Sequence, residues 1–302
     1  MHDSSRALGL ALLSGVGFSC LGVSWRWGQA KGVPPTHVAL VISVVGAAFF
    51  ALRAGESFSA PALIWVLGIA AGMGQYAAIK LIKVALSRGP LSPLWCAIGL
   101  GFIVTIMYAS AFLGETLRPV QSLGVAAGVA CVIVASLAQG HGDNGSGAGT
   151  RRRLVDRVAY GLLLLVTLIA SSGAAVMVKH LGSLTYSPSQ TYMDHFGGLF
   201  YLLLYAVFGL MIAGESAVTR PRGIPLKWML AVGAFGAAGS VTGLWAWGAA
   251  SAFPAAVVFT VSSVISIVGA AIVSAVFFGE RTSAGWFATL GLAVASVVLV
   301  SA

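Results

Sequence analysis

The chain has 302 residues, of which 58% are apolar and only 8% charged, where a soluble domain carries about 25% charged residues. That composition excludes a soluble globular domain and leaves an integral membrane protein. The 17 basic residues exceed the 8 acidic ones for a net charge of +9, but they are scattered over short polar segments rather than gathered in one patch, which excludes a nucleic-acid surface.

Apolar runs of spanning length, about 20 residues each, fall in chain order at 7–28, 37–53, 62–83, 90–113, 119–138, 158–179, 190–213, 226–248, 254–278 and 284–301. They are too long and too uniformly apolar for the alternating strands of a barrel. The first run carries one basic residue ahead of it, Arg6, but no small-residue cleavage site follows, so it is expected to stay as a span rather than leave as a signal peptide. Pro35, Pro90, Pro93 and Pro254 stand at the starts of runs, where a proline costs little because the first helical N–H groups lack partners anyway; the alternative is a bent or broken helix lining a cavity. Cys20, Cys96 and Cys131 lie inside runs with no ligand spacing around them and read as small buried hydrophobes. The 39 glycines include pairs four apart, Gly68 and Gly72, Gly124 and Gly128, Gly239 and Gly243, the spacing that lets membrane helices approach closely.

The chain repeats itself. Ala54-Gly55-Glu56-Ser57 recurs as Ala213-Gly214-Glu215-Ser216, and Phe112-Leu113-Gly114-Glu115 is answered by Phe277-Phe278-Gly279-Glu280. Gly9 to Cys20 aligns with Gly161 to Ser172, Pro35 with Pro188 as the opening of the second span of each half, and Ala85 with Ala250. The expected domains are a first five-helix repeat at 1–138, a flexible polar and basic linker at 139–157, and a second repeat at 158–302. A unit with an odd number of spans enters the bilayer once in each orientation, which makes the two repeats inverted. The linker glycines follow no strand and precede no Gly-Lys-Ser/Thr, so they are not a phosphate loop.

Ten spans put both termini on one side. Arg26, Lys31, Lys80, Lys83, Arg88, Arg151, Arg152, Arg153, Arg157, Arg220, Arg222, Lys227 and Arg281 flank one face, against Arg6, Arg53, Arg118 and Lys179 on the other. The positive-inside rule then predicts a cytoplasmic linker and termini outside.

The ten-span count, the halving near 140–157 and the Gly-Glu endings Leu113-Gly114-Glu115-Thr116-Leu117 and Phe278-Gly279-Glu280-Arg281-Thr282 resemble the ten-span, EamA-type permeases of the drug/metabolite transporter superfamily. The resemblance spans nearly the whole chain. It implies an all-α membrane protein of ten helices around a central cavity lined by spans 1, 3, 4, 6, 8 and 9, in a bacterial inner (plasma) membrane, moving amino acids, other metabolites, sugars or toxic organics. Members often keep both termini in the cytoplasm, and the charge tally here points the other way.

Polar and aromatic groups deep in those cavity-lining spans are the substrate-binding candidates: Gln75, Tyr76, Trp95, Ser171, Ser172, Trp245, Thr260, Ser262 and Ser263. Aromatic walls with a few hydrogen-bonding groups suit a small solute of mixed polarity. Serine and threonine in membrane helices also bond back to their own helix, and Trp245 with Trp247 fits an interfacial belt. Asp194 beside His195 is a candidate for proton coupling, with helix-start stabilisation by Asp194 as the structural alternative. Lys80 and Lys83 could meet an anion or act as snorkelling anchors. Glu56, Glu115, Glu215 and Glu280 fall at span ends, with Arg53, Arg118 and Arg281 as nearby partners, and read as interfacial anchors.

The functional expectation is a carrier for a small amino-acid-like metabolite working by alternating access as an exporter. An uptake carrier or exchanger for a sugar or organic anion stands second, and a channel third. An enzyme is not expected: no His-Glu-x-x-His, intramembrane Asp pair or Gly-x-Ser-x-Gly elbow occurs. The expected partners are the small-molecule substrate and the lipid bilayer, with no nucleic acid, no cofactor and no metal, in a monomer or homodimer.

Overall fold

A computed structural model describes residues 2–55, 57–88, 98–139, 150–218, 226–278 and 284–302. Within them the chain forms helices α1 (His2–Ala30), α2 (Pro35–Ala54), α3 (Ala62–Arg88), α4 (Gly101–Phe112), α5 (Pro119–Gln139), α6 (Thr150–Ser183), α7 (Tyr192–Val218), α8 (Leu226–Ala250), α9 (Ala255–Phe278) and α10 (Ala284–Ser301). Six of these are long and apolar enough to cross a membrane, and four more carry shorter apolar stretches. Leu210, Met107, Leu123 and Val298 stand more than half exposed within their helices. An outer surface this apolar is unstable in water and stable in lipid. The chain is an all-α membrane protein.

Two boundaries differ from the sequence expectation. Thr150–Arg157 belong to α6 rather than to a linker. Before α7 the chain makes an antiparallel hairpin, β1 (Thr185–Ser187) with β2 (Gln190–Thr191). Pro188 therefore lies in the hairpin turn and does not open a helix as Pro35 does. The reason is local: Thr191 and Asp194 cap α7. The Thr191 N–H and hydroxyl each donate to Asp194 Oδ2 at 2.9 Å, and the Asp194 N–H returns to Thr191 Oγ1 at 3.2 Å.

Interhelix packing among the described residues runs mostly between α1–α5 and α6–α10, with α9 on α10 the main contact within one half. Gly46 abuts the Tyr205 ring, Gly209 the Ser43 side chain and Gly198 the Arg53 carbonyl, so α2 and α7 run antiparallel. The helices α5 and α10 do the same, with Gly124 against Val300 and Gly128 against Ser296, whose hydroxyl donates to the Gly124 carbonyl at 2.7 Å. So do α4 and α9: Gly99 faces Ile267 at one end, and Glu115 bonds the Ala255 N–H at the other. By contrast α1 lies parallel to α9, with Gly15 on Ile265 and Gly22 on Ala270, and antiparallel to α8, with Gly17 on Gly239 and Gly28 near Val232. Gly68 and Gly72 pack on α7 at Leu203 and Leu204, parallel. All three glycine pairs noted in the sequence thus sit at helix crossings.

The largest core cluster gathers α2, α3, α7 and α8 around Phe50, whose ring lies 4.8 Å from Tyr201 and 5.8 Å from Tyr205. A second joins α4 to α9 through Phe102, Ile106 and Phe259. These contacts define two ends of the bundle. One carries Lys31 and Lys227 over the Trp228 ring, and Lys80 and Lys83 on Glu215. The other carries Arg53, Glu115, Lys179 and Asp194.

Candidate functional site

At that second end the C-termini of α2 and α8 and the start of α7 enclose a cleft of about 260 Å³. Phe50, Arg53, Met193, Asp194, His195, Tyr201 and Trp245 supply its side chains, and Gly197, Gly198 and Gly248 its bare backbone. The Arg53 guanidinium lies over the Phe49 ring at 5.0 Å and the Trp245 ring at 5.7 Å, an arrangement that positions a cation by its aromatic neighbours. Among the described residues no carboxylate pairs with it. Tyr201 is fixed by donating its hydroxyl to the Leu244 carbonyl at 2.5 Å. His195 stacks on Tyr186, 4.2 Å between centroids. The cleft therefore offers one cation, one carboxylate and aromatic walls. Pockets for drug-sized ligands run about 300–1,000 Å³, so this one suits a small solute.

Of the sequence candidates, the cleft brings together Trp245, Asp194 and His195. Others lie elsewhere. Ser171 and Ser172 both donate to the Leu168 carbonyl, at 3.0 and 2.6 Å. Ser262 belongs to a seam joining α8, α9 and α1: the Trp247 indole N–H donates to Ser262 Oγ at 2.9 Å, Ser262 donates to Ser14 Oγ at 3.0 Å, and Ser14 to the Gly243 carbonyl at 3.0 Å. Thr260 is fully buried and its Oγ1 has no partner among the described residues, while Ser263 is half-buried. Gln75 and Tyr76 are half-buried on α3. Tyr76 packs with Ile79 and Phe208, its ring 5.4 Å from Lys80 Nζ. Lys80 and Lys83 are both held by Glu215, each at 2.7 Å, so a free anion there competes with a resident carboxylate. Trp95, Glu56, Glu280 and Arg281 lie outside the described residues. Arg53, Met193 and Tyr201 are cleft residues that sequence reasoning missed. A basic residue placed in the last turn of an apolar run was the available signal for Arg53.

Among the described residues Glu115 takes Lys179 as its partner and not the neighbouring Arg118. Lys179 is only 2% exposed. The Lys179 ammonium also donates to the carbonyls of Phe253 at 2.7 Å and Ser251 at 3.2 Å. The second carboxylate oxygen of Glu115 accepts the Ala255 N–H at 2.8 Å. Gly114 makes this reach possible. Its φ of +70° ends α4 in a left-handed turn, and the Glu115 N–H folds back to the Ala109 carbonyl at 3.2 Å. Among the described residues no three His, Cys, Asp or Glu side chains gather to hold a metal ion.

No family model matches this chain, and no curated protein does. A solved crystal structure shares its fold with a TM-score of 0.72 over 98% of this chain and 96% of its own, at 19% identity. At that identity the likeness speaks for the fold alone.

Proposed function

We propose that this protein is a secondary carrier of the drug/metabolite transporter type, with ten spans in two inverted five-helix repeats, exporting a small amino-acid-like metabolite by alternating access. The observation that carries the reading is the antiparallel course of repeat-equivalent helices wherever they touch: α2 on α7, α4 on α9, α5 on α10. Repeats in one common orientation would bring such helices together parallel. Three further sets of contacts exchange in pairs under the same correspondence, α1–α8 with α6–α3, α1–α9 with α6–α4, and α3–α7 with α8–α2.

Two equivalent crossings nevertheless differ. The sequence alignment carries Gly239 onto Gly74 and Gly17 onto Ile169. A Cβ on Gly239 would stand 2.5 Å from the Gly17 carbonyl oxygen, whereas one on Gly74 meets nothing nearer than the Ala170 carbonyl oxygen at 3.9 Å. One crossing is shut and its counterpart slack; part of the difference is in the sequence, where Ile169 stands in place of Gly17, and the rest fits a carrier resting in one of two mirror-related states. The basic residues tallied as cytoplasmic, Lys31, Lys80, Lys83 and Lys227, gather at the end opposite the cleft, which favours a cleft opening to the outside. Arg53 and Asp194 together favour a solute carrying both charges, its apolar part against Trp245.

Counterflow into proteoliposomes tests the proposal with a panel of amino acids. A carrier gives saturable uptake stimulated by the same solute inside. Flux without saturation and without trans-stimulation overturns it.

A further inference from the structure

Lys179 stands among oxygens. Its ammonium touches one carboxylate oxygen of Glu115 and the carbonyls of Ser251 and Phe253. Those carbonyls lie just past the end of α8, where backbone acceptors lack helical partners and carry the negative end of the helix dipole. The Ala255 N–H at the start of α9 fixes the other Glu115 oxygen, so the carboxylate is aimed before any cation arrives. Three elements thus converge on one buried positive charge: the end of α6, the turn after α4, and the α8–α9 turn.

We propose that the Lys179 ammonium fills, from within the chain, a monovalent cation site, and that without the ammonium the site takes sodium. The donor set is that of a hard cation, all oxygen. One carboxylate balances a single positive charge, and a divalent ion would leave a charge uncompensated at a position where Lys179 is 2% and Glu115 28% exposed. Carriers built from inverted repeats hold their coupling cations at helix C-termini and unwound carbonyls near the bilayer midplane, and the α8–α9 turn offers acceptors of the same kind at one end of the bundle. The consequence for coupling rests on the carrier reading: with the position permanently occupied, sodium drives nothing. The site itself does not depend on that reading.

The test is thermal unfolding of purified full-length protein in sodium chloride against choline chloride at equal ionic strength. Lys179→Met keeps the apolar stem and removes the ammonium. In this variant sodium is expected to raise Tm saturably by a few degrees, as a ligand of the folded state does. Wild type should show no sodium-specific shift, and Lys179→Met/Glu115→Gln should lose it. No sodium-dependent rise in Lys179→Met overturns the proposal. So does a sodium-dependent rise, or sodium-dependent counterflow, in wild type, which needs no variant to fold. A protein that moves no solute at all would sink the carrier reading and leave these melting curves to decide the cation site.

Discussion

Gly17 and Gly239 meet backbone to backbone. A Cβ on Gly17 would stand 2.7 Å from the Gly239 carbonyl oxygen, and one on Gly239 would stand 2.5 Å from that of Gly17. Neither obstacle is a side chain that can turn aside. Gly17→Ala and Gly239→Ala should each destabilise the fold by about 1–3 kcal/mol, the usual cost of overpacking. Gly9→Ala on the same helix, with nothing within 4 Å of its Cβ, should leave Tm unchanged. Equal melting temperatures for Gly9→Ala and Gly17→Ala would contradict the crossing.

Gly74 is the converse case. Its added Cβ makes only an ordinary 3.9 Å contact here, so Gly74→Ala should fold with an unchanged Tm. If the crossing must shut during the cycle as its counterpart at Gly239 has shut, the same methyl penalises the second state by about 1–3 kcal/mol. Its population then falls about 5–150-fold. Counterflow should drop accordingly, and full activity in this variant would remove the exchange of crossings.

Arg53→Gln should weaken binding of a carboxylate-bearing solute, raising KM about tenfold with Vmax little changed, equivalent to about 1.4 kcal/mol. Trp245→Ala, which strips an aromatic wall and one face of the Arg53 seat, should act in the same direction. Kinetic constants like those of wild type in both variants would exclude the cleft as the solute site.

Thr191→Ala removes the cap of α7 and should cost about 1 kcal/mol. Asp194→Asn keeps a side-chain oxygen able to accept from Thr191 while losing the charge. If Asp194 only caps, Asp194→Asn transports with the wild-type pH profile. A profile displaced by Asp194→Asn alone would instead assign the carboxylate to proton coupling.

Tyr205 and Ser240 share a buried hydrogen bond of 2.6 Å between α7 and α8. Tyr205→Phe and Ser240→Ala should each cost about 1 kcal/mol or more, because each leaves a partner unsatisfied. The double variant should cost less than their sum, a coupling that a double-mutant cycle on Tm-derived stabilities reads directly.

Helix positions were readable from the chain because the bilayer demands one thing of every span, a long apolar run, and that demand is written locally. The run expected at 119–138 is the helix Pro119–Gln139, and that at 226–248 is Leu226–Ala250. The hairpin at 185–191 was legible in principle, since Thr191-x-x-Asp194 carries the capping signature, but the apolar residues of α7 draw the reading past it. The ionic chemistry was not legible. Lys179 finds Glu115 64 positions away, and Glu215 finds Lys83 132 positions away. Such partners share no period and no neighbourhood in sequence. They meet only because the helices between them cross. The cleft has the same origin: Arg53, Asp194 and Trp245 come from three separate helices, and only the fold brings them to one rim.

Because most of the packing among the described residues crosses the midpoint of the chain, the described parts of 2–139 and 150–302 share one interior more than they own two. Each buries its small-residue faces in the other. The molecule behaves as an obligate heterodimer whose two subunits happen to share a peptide backbone. Severed between Gln139 and Thr150 and co-expressed, the pieces should copurify as one complex, whereas either piece made by itself should be degraded.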